Sequence, residues 1–171
     1  MCLEFLVSWS GLTWGGIITV RISTKGGYGI RAMYELAMAH GLGPVPLKVV
    51  AERQAISENY LEQLMGTLRR SGLVEGIRGA KGGYKLALPP EEIRVGDVIR
   101  ALEGPISPVS CVDQDGSSDC DRHAMCPTRD LWERLRDSMT EVLDSTTLAD
   151  LCRQAPGEQS LAKSGEPSHI Q

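Results

Sequence analysis

Apolar residues recur at helical spacing in several separated stretches of this chain, and the gaps between them carry residues that start or stop helices. In "YGIRAMYELAMAHG", Ile30, Met33, Tyr34, Ala37 and Met38 share one face, and Gly41 supplies a stop. This predicts a first core helix beginning near Tyr28. "VPLKVVAERQ" then puts Leu47, Val50 and Ala51 on one side of a short helix that ends near Ala55 and Ile56. Ser57 is suited to cap the next helix, because its hydroxyl can accept from an otherwise unpaired amide while Glu58 favours the positive helix end. That helix, "ENYLEQLMGTLRRSG", has Tyr60, Leu61, Leu64 and Leu68 as its stripe and stops at Ser71 and Gly72. Two short helices joined by a tight turn predict a helix-turn-helix.

The period then changes. "LVEGIRGAKGGYKLAL" holds two short apolar runs around a glycine-rich basic link, which predicts a β-hairpin. A mainly α chain with a small β-hairpin wing follows: a winged helix-turn-helix. Past a break at Pro89 and Pro90, "RVGDVIRALEG" reads as a short helix ending at Gly104, and "PISPVSC" as an extended connector. "PTRDLWERLRDSMTEVLDSTTLADLC" reads as one long amphipathic helix, with Pro127 at a tolerated early position and Leu131, Leu135, Met139, Val142 and Leu143 along one stripe. Such a projecting stripe needs cover, and the expectation is a dimerisation helix packed on its twin in a homodimer.

The expected division is therefore a winged helix-turn-helix over 20–90, then a connector helix, cysteine loop and dimerisation helix over 91–152. Residues 153–171 are rich in Pro, Gly, Ser and Gln and are expected to be a disordered tail. A length of 171 residues with 42% apolar content suits one ordinary core. The net charge of −4 hides an asymmetry: residues 20–90 carry ten Lys and Arg against five Asp and Glu, whereas residues 91–155 carry seven against fourteen. A basic first half fits a polyanion, here a double-stranded DNA operator. "MCLEFLVSWSGLTWGGIIT" has no Lys or Arg, so it lacks the basic start of a secretory signal, and Gly, Ser, Thr and Glu4 interrupt its apolar run. A cytoplasmic protein without membrane contact is expected.

In a winged helix-turn-helix the second helix enters the major groove by its N-terminal residues. Glu58, Asn59, Tyr60 and Gln63 are the side chains expected at base edges. Arg78 and Lys81 at the hairpin tip, with Arg69 and Arg70, would supply phosphate or minor-groove contacts. Gly79, Gly82 and Gly83 would let the wing backbone come close to DNA.

Five cysteines, an odd number, argue against a disulfide framework in a reducing compartment. Cys111, Cys120 and Cys126 fall within sixteen residues of a polar loop, while Cys2 and Cys152 read as ordinary thiols. Gaps of eight and five residues fit poorly the closely paired ligands of structural zinc, whereas thiolates are the usual ligands of iron–sulfur clusters. Zinc or a regulatory thiol site remains as the alternative. No hydrolase triad, phosphate loop or paired carboxylate site has supporting context, so an enzyme is not expected.

"VRISTKGGYGIRAMYELA", "SENYLEQLMGTLRRSGLV", "GIRGAKGGYKLA", "RVGDVIRALEGP" and "CPTRDLW" together resemble the Rrf2 family of bacterial winged-helix regulators, in particular its IscR-like branch. The resemblance covers residue 20 to about residue 152. It implies a homodimeric transcription factor, in the manner of a repressor, sensing iron–sulfur, redox or nitric-oxide status. The implied cofactor is a cluster held in the cysteine loop, 2Fe-2S favoured over 4Fe-4S. It also implies a start near Val20, so residues 1–19 are expected to be a non-native or disordered extension. The IscR-like pattern places a histidine three residues after the third cysteine, where this chain has Arg129, which stays protonated and is no ordinary iron ligand. Nitric-oxide-sensing relatives use an acidic residue where this chain has Gly27. His123 or Asp130 is then left to complete the site, His123 being the sharper expectation. One alternative within the family is a cluster-free repressor of cysteine metabolism that acts through a partner enzyme of cysteine biosynthesis. Another is an iron–sulfur electron-transfer or assembly protein.

Overall fold

The computed structural model describes residues 23–79, 81–113 and 125–154. The first helix starts earlier than its apolar period indicated. Ser23 caps it, its hydroxyl accepting from the Lys25 amide at 3.1 Å, and α1 spans Thr24–Met38. Glycines at 26, 27 and 29 imitate a helix break in the sequence. In the fold, Gly26 and Gly29 are contact points instead. They lie against α4 (Val95–Glu103), and a Cβ on either would run into the side chains of Ile99, Leu102 or Glu103. Ser23 donates to Glu103 Oε1 at 2.8 Å and Lys25 reaches the Leu102 carbonyl, which holds the two helices at that spacing.

The helix-turn-helix follows as α2 (Leu47–Gln54) and α3 (Glu58–Arg70). Ala55 takes the left-handed conformation between them, with φ of 52°, and buried Ile56 pins the turn to the core. Met33 and Leu36 of α1 meet Val50, Leu61, Leu64, Met65 and Leu68 in one cluster that also includes Val98 and Leu102 of α4. Among the described residues one charged side chain joins this interior. Glu35, 7% exposed, accepts from Arg53 at 3.1 Å and from Gln54 at 2.5 Å, so its charge is paired and hydrogen-bonded as burial demands.

The wing is an antiparallel pair, β1 (Val74–Ile77) and β2 (Gly83–Leu86), with Val74 opposite Leu86 and Ile77 opposite Gly83. Val45 extends it by exchanging backbone hydrogen bonds with Tyr84 at 2.8 and 2.9 Å. Gly83 has a φ of 155°, and any Cβ there would overlap the Val45 carbonyl, so only glycine lets this third segment close on the hairpin.

The segment read as one long helix is two. Helix α5 runs Arg129–Ser145 and α6 runs Leu148–Arg153, and Pro127 lies outside the first of them. The break has tertiary causes. Val95 donates to the Thr146 carbonyl at 2.9 Å, Leu148 to the Ile93 carbonyl at 3.0 Å, and Arg94 bridges Thr147, so the chain is held extended there. Thr147 then caps α6 with a reciprocal bond to Asp150. Leu148 is fully buried in the common core, returning the chain to the winged unit. The Thr147 hydroxyl, its amide and Arg153 hold the Asp150 carboxyl at about 2, against its usual 3.8. Because the folded value is the lower one, this cap contributes above the usual value and is lost as pH falls towards about 2.

Leu148→Ala removes a buried anchor whose absence leaves a cavity. It should cost about 2–5 kcal/mol of stability. Urea unfolding followed by circular dichroism reads this directly, and an unchanged midpoint would show that α6 is not docked.

Candidate nucleic-acid interface

Helix α3 divides its surface cleanly between core and solvent. Leu61, Leu64, Met65 and Leu68 face inward, while Glu58, Asn59, Glu62, Gln63, Arg69 and Arg70 are exposed. Ser57 caps it as expected, accepting from the Tyr60 amide at 3.4 Å. Tyr60 itself is half-buried, its ring edge-on to Tyr28 with centroids 5.9 Å apart. Arg31 lies over the other ring of that pair and donates to Gln54 at 2.8 Å, bracing the turn that aims α3. Tyr60 therefore combines a packing role with its place near the helix start.

The two consecutive arginines at the end of α3 diverge. Arg69 reaches the wing, one of its guanidinium nitrogens lying 3.8 Å from where a Cβ on Gly76 would stand. Arg70 turns back along α3 and donates to the Thr67 hydroxyl at 2.9 Å. Arg78, Gly79 and Lys81 are all exposed at the hairpin tip, which Gly82 closes by donating to the Gly79 carbonyl at 2.9 Å. A depression on the outer face of α3 is lined by Asn59, Glu62, Gln63, Gly66, Thr67 and Arg70. Of these, the sequence reading passed over Glu62, Gly66 and Thr67, although their spacing from Asn59 puts them on the same helical face. Gly66 stands out energetically, since a glycine inside a helix costs about 1 kcal/mol relative to alanine.

Helix α5 has no buried residue. Leu131 and Val142 of the expected dimerisation stripe are 57% and 64% exposed, and Leu135, Met139 and Leu143 are half-buried. Its C-terminal end is locked to the winged unit. Arg100 of α4 grips the Asp144 carboxylate with both guanidinium nitrogens at 2.5–2.8 Å, Arg94 donates to the Asp144 carbonyl, and buried Gly96 leaves room for that carboxylate. Its N-terminal end meets the cysteines. Cys111 lies on a 3₁₀ turn, Ser110–Val112, and Cys126 stands just before the cap residue Thr128. Two arginines of α5 hold consecutive carbonyls of that turn: Arg129 donates to Cys111 at 3.4 Å and Arg136 to Val112 at 2.9 Å, with the Val112 side chain buried. Arg129 is also paired with Glu133 at 2.7 Å.

The Thr128 hydroxyl, 3.3 Å from Cys126 Sγ, and its amide lower the Cys126 pKa, Arg129 adding a smaller share. Cys126 is thus a thiol beside the Arg129 guanidinium, which also holds the backbone carbonyl of Cys111, and thiols are the donor chemistry an iron–sulfur cluster takes. Cys120 and His123 lie outside the described residues, and among the described residues no three His, Cys, Asp or Glu side chains converge as a metal site. Asp130 is turned to Arg134, 3.9 Å away on the exposed face of α5. Among the described residues no helix is long and apolar enough to cross a membrane.

The sequence profile of the Rrf2 family, described as an iron-dependent transcriptional regulator, matches residues 22–154. The chain belongs to the Rrf2 family. It is 51% identical over 140 residues to the HTH-type transcriptional regulator CymR of Bacillus subtilis, which covers 82% of this chain and 95% of CymR. To the HTH-type transcriptional regulator IscR of Pectobacterium carotovorum it is 42% identical over 132 residues, covering 77% of this chain and 79% of that one. The solved structure of CymR, the global cysteine regulator of B. subtilis, matches with a TM-score of 0.66 at 52% identity, covering 78% of this chain and 96% of CymR. That of T. potens IscR gives 0.66 at 46% identity, covering 86% and 93%. These relatives are transcriptional regulators and not enzymes. This Rrf2 chain is accordingly a DNA-binding transcriptional regulator with a winged-helix fold.

Within the Rrf2 chain Cys126 and Cys152 stand in different surroundings. Burial and Glu91 raise the Cys152 pKa, whereas hydrogen bonds lower that of Cys126, so at a given pH more of Cys126 is thiolate. In metal-free, reduced protein, iodoacetamide should modify Cys126 before Cys152, and Thr128→Val should slow only the former. Peptide mass spectrometry over time resolves the order; equal rates would contradict it.

Proposed function

We propose that this Rrf2 protein is a cytoplasmic homodimeric repressor that senses iron–sulfur, redox or nitric-oxide status at the cysteine segment and reports it at an operator. The carrying observation is helix α5: it buries no residue within the chain, begins beside Cys126, and ends in the Arg100–Asp144 grip on the winged unit. In this reading Leu131, Leu135, Met139, Val142 and Leu143 pack against the second copy. The winged unit of residues 20–90 binds DNA, with Glu58, Asn59, Tyr60 and Gln63 at base edges and Arg69, Arg70, Arg78, Gly79 and Lys81 against the backbone or minor groove.

Cys111, Cys120 and Cys126 would hold a cluster, 2Fe-2S in preference to 4Fe-4S, with His123 as the further ligand. When bound, such a cluster supplies a reversible electron couple and a group open to oxidation or nitrosylation. The chain's own part is mechanical and electrostatic. Arg129 and Arg136 tie the Cys111 turn to α5, and Arg129 offsets the charge of the Cys126 thiolate. Whatever shifts that turn shifts α5, and Asp144 carries the motion to α4 and the DNA-binding unit.

A second reading is supported by the 51% identity to CymR, a cysteine regulator in B. subtilis. In it the protein carries no cluster, represses genes of cysteine metabolism, and responds through a partner enzyme of cysteine biosynthesis.

Anaerobic purification with a visible spectrum and iron and sulfide assays separates the two. Under the first reading the protein is brown and contains acid-labile sulfide, and Cys120→Ala loses both while remaining a dimer by light scattering. Colourless protein that takes up no sulfide on reconstitution favours the second. Arg78→Ala should weaken operator binding and lower its dependence on salt concentration, a phosphate contact contributing about one to the salt slope. Unchanged affinity at moderate salt would remove Arg78 from the contact set.

A further inference from the structure

Gly66 occupies the middle of α3 on its outer face, and nothing among the described residues requires a glycine there. Its φ is not positive, and the nearest atom to a Cβ built on it is Arg70 Nη1 at 3.8 Å, an ordinary van der Waals distance. Alanine would fit and would make the better helix. The packing around it therefore leaves the missing side chain unexplained. Around it, Arg70 is fixed beside the bare backbone. It donates to Thr67 Oγ1 at 2.9 Å, and the Thr67 hydroxyl in turn donates to the Gln63 carbonyl at 3.2 Å. That bond uses one of the five guanidinium N–H groups.

The spacing along the helix says what comes close. From Asn59 to Gly66 the helix rises roughly 10 Å. The major groove is about 12 Å wide. With Asn59 at base edges, Gly66 and Arg70 stand at the groove wall, where a sugar–phosphate strand runs. Glu62 lines the same depression, and its carboxylate repels a phosphate, which directs the strand to the Arg70 side.

We propose that Gly66 is the point of closest approach between α3 and one operator strand, whose sugar seats on the bare helix while Arg70 takes the adjacent phosphate. This rests on α3 being the recognition helix, as in the reading above. The absent Cβ is a positioning device: it sets how deeply the N-terminal half of α3 enters the groove.

The test compares full-length wild type, Gly66→Ala and Arg70→Ala on two DNA duplexes of equal length. One is selected by the wild type from a randomised pool, and the other is unrelated in sequence. Gly66→Ala should raise the thermal midpoint yet weaken binding to both duplexes by roughly tenfold, because a strand contact is indifferent to sequence. Arg70→Ala should lose about one unit of salt slope. Gly66→Ala that binds as tightly as wild type overturns the proposal. A loss confined to the selected duplex also overturns it, since Gly66 would then face a base. Asn59→Ala, on the selected duplex, judges the recognition-helix reading independently: its indifference would sink that reading even if Gly66 behaved as expected.

Discussion

Helix α1 can lie against α4 only because Gly26 and Gly29 present no side chain at the contact. Much of the molecule follows from that approach. It brings Met33 and Leu36 into reach of α3, sets Leu102 and Val98 beneath them, and leaves the floor on which Leu148 closes the core. The lateral bonds of Ser23 and Lys25 to the end of α4 hold the helices there, so the spacing is defined by hydrogen bonds as well as by absent methyl groups. A side chain at either glycine would separate the unit that reads DNA from the helix that receives α5.

Helix α3 carries opposite demands on its two sides. Its inward face is four fully packed apolar residues, which secures the helix through tertiary burial and not through propensity. Its outer face is thereby free to hold residues that favour no helix, including Gly66 and Thr67. The turn before it is similarly overdetermined. Ala55 accepts a left-handed backbone because Ile56 is buried on one side and the Arg31–Gln54 pair braces the other.

The fold was largely legible wherever apolar period and end signals agreed. Ser57 and Gly72 bound α3, and the paired runs around Gly79 bound the wing. Legibility failed at the end of α5 and at the cysteine turn. Leu148 and Leu151 leave the face carried by Leu131 and Val142, and Thr147 with Asp150 three residues on is a helix-start signature, so the break had a local mark that the overall run of apolar residues masked; backbone pairing of Thr146 and Leu148 with Val95 and Ile93 holds the chain extended there. The grip of Arg129 and Arg136 on the Cys111 turn was hidden too. Carbonyl acceptors have no sequence signature, and Arg129 registered only as a residue standing where a ligand was looked for. On α3 and the wing, Arg69, Arg70, Arg78 and Lys81 are exposed, whereas the different directions taken by Arg69 and Arg70 depend on side-chain partners that the sequence does not name.

The two ends of α5 are held in unlike ways, and this gives the helix the geometry of a lever. Asp144 is fixed by Arg100 and by Arg94 from the backbone side, which makes it a fulcrum. Arg129 at the opposite end and Arg136 at the middle of the helix hold the cysteine turn. From Arg129 to Asp144 the helix measures about 22 Å. A displacement of 1 Å at the cysteine end then corresponds to a rotation of roughly 2.5° about Asp144, on the geometry of a rigid helix. If, as proposed above, a second copy packs along the same helix, it would be turned with it, and a small local movement at the thiols would become an angular relation between the two winged units.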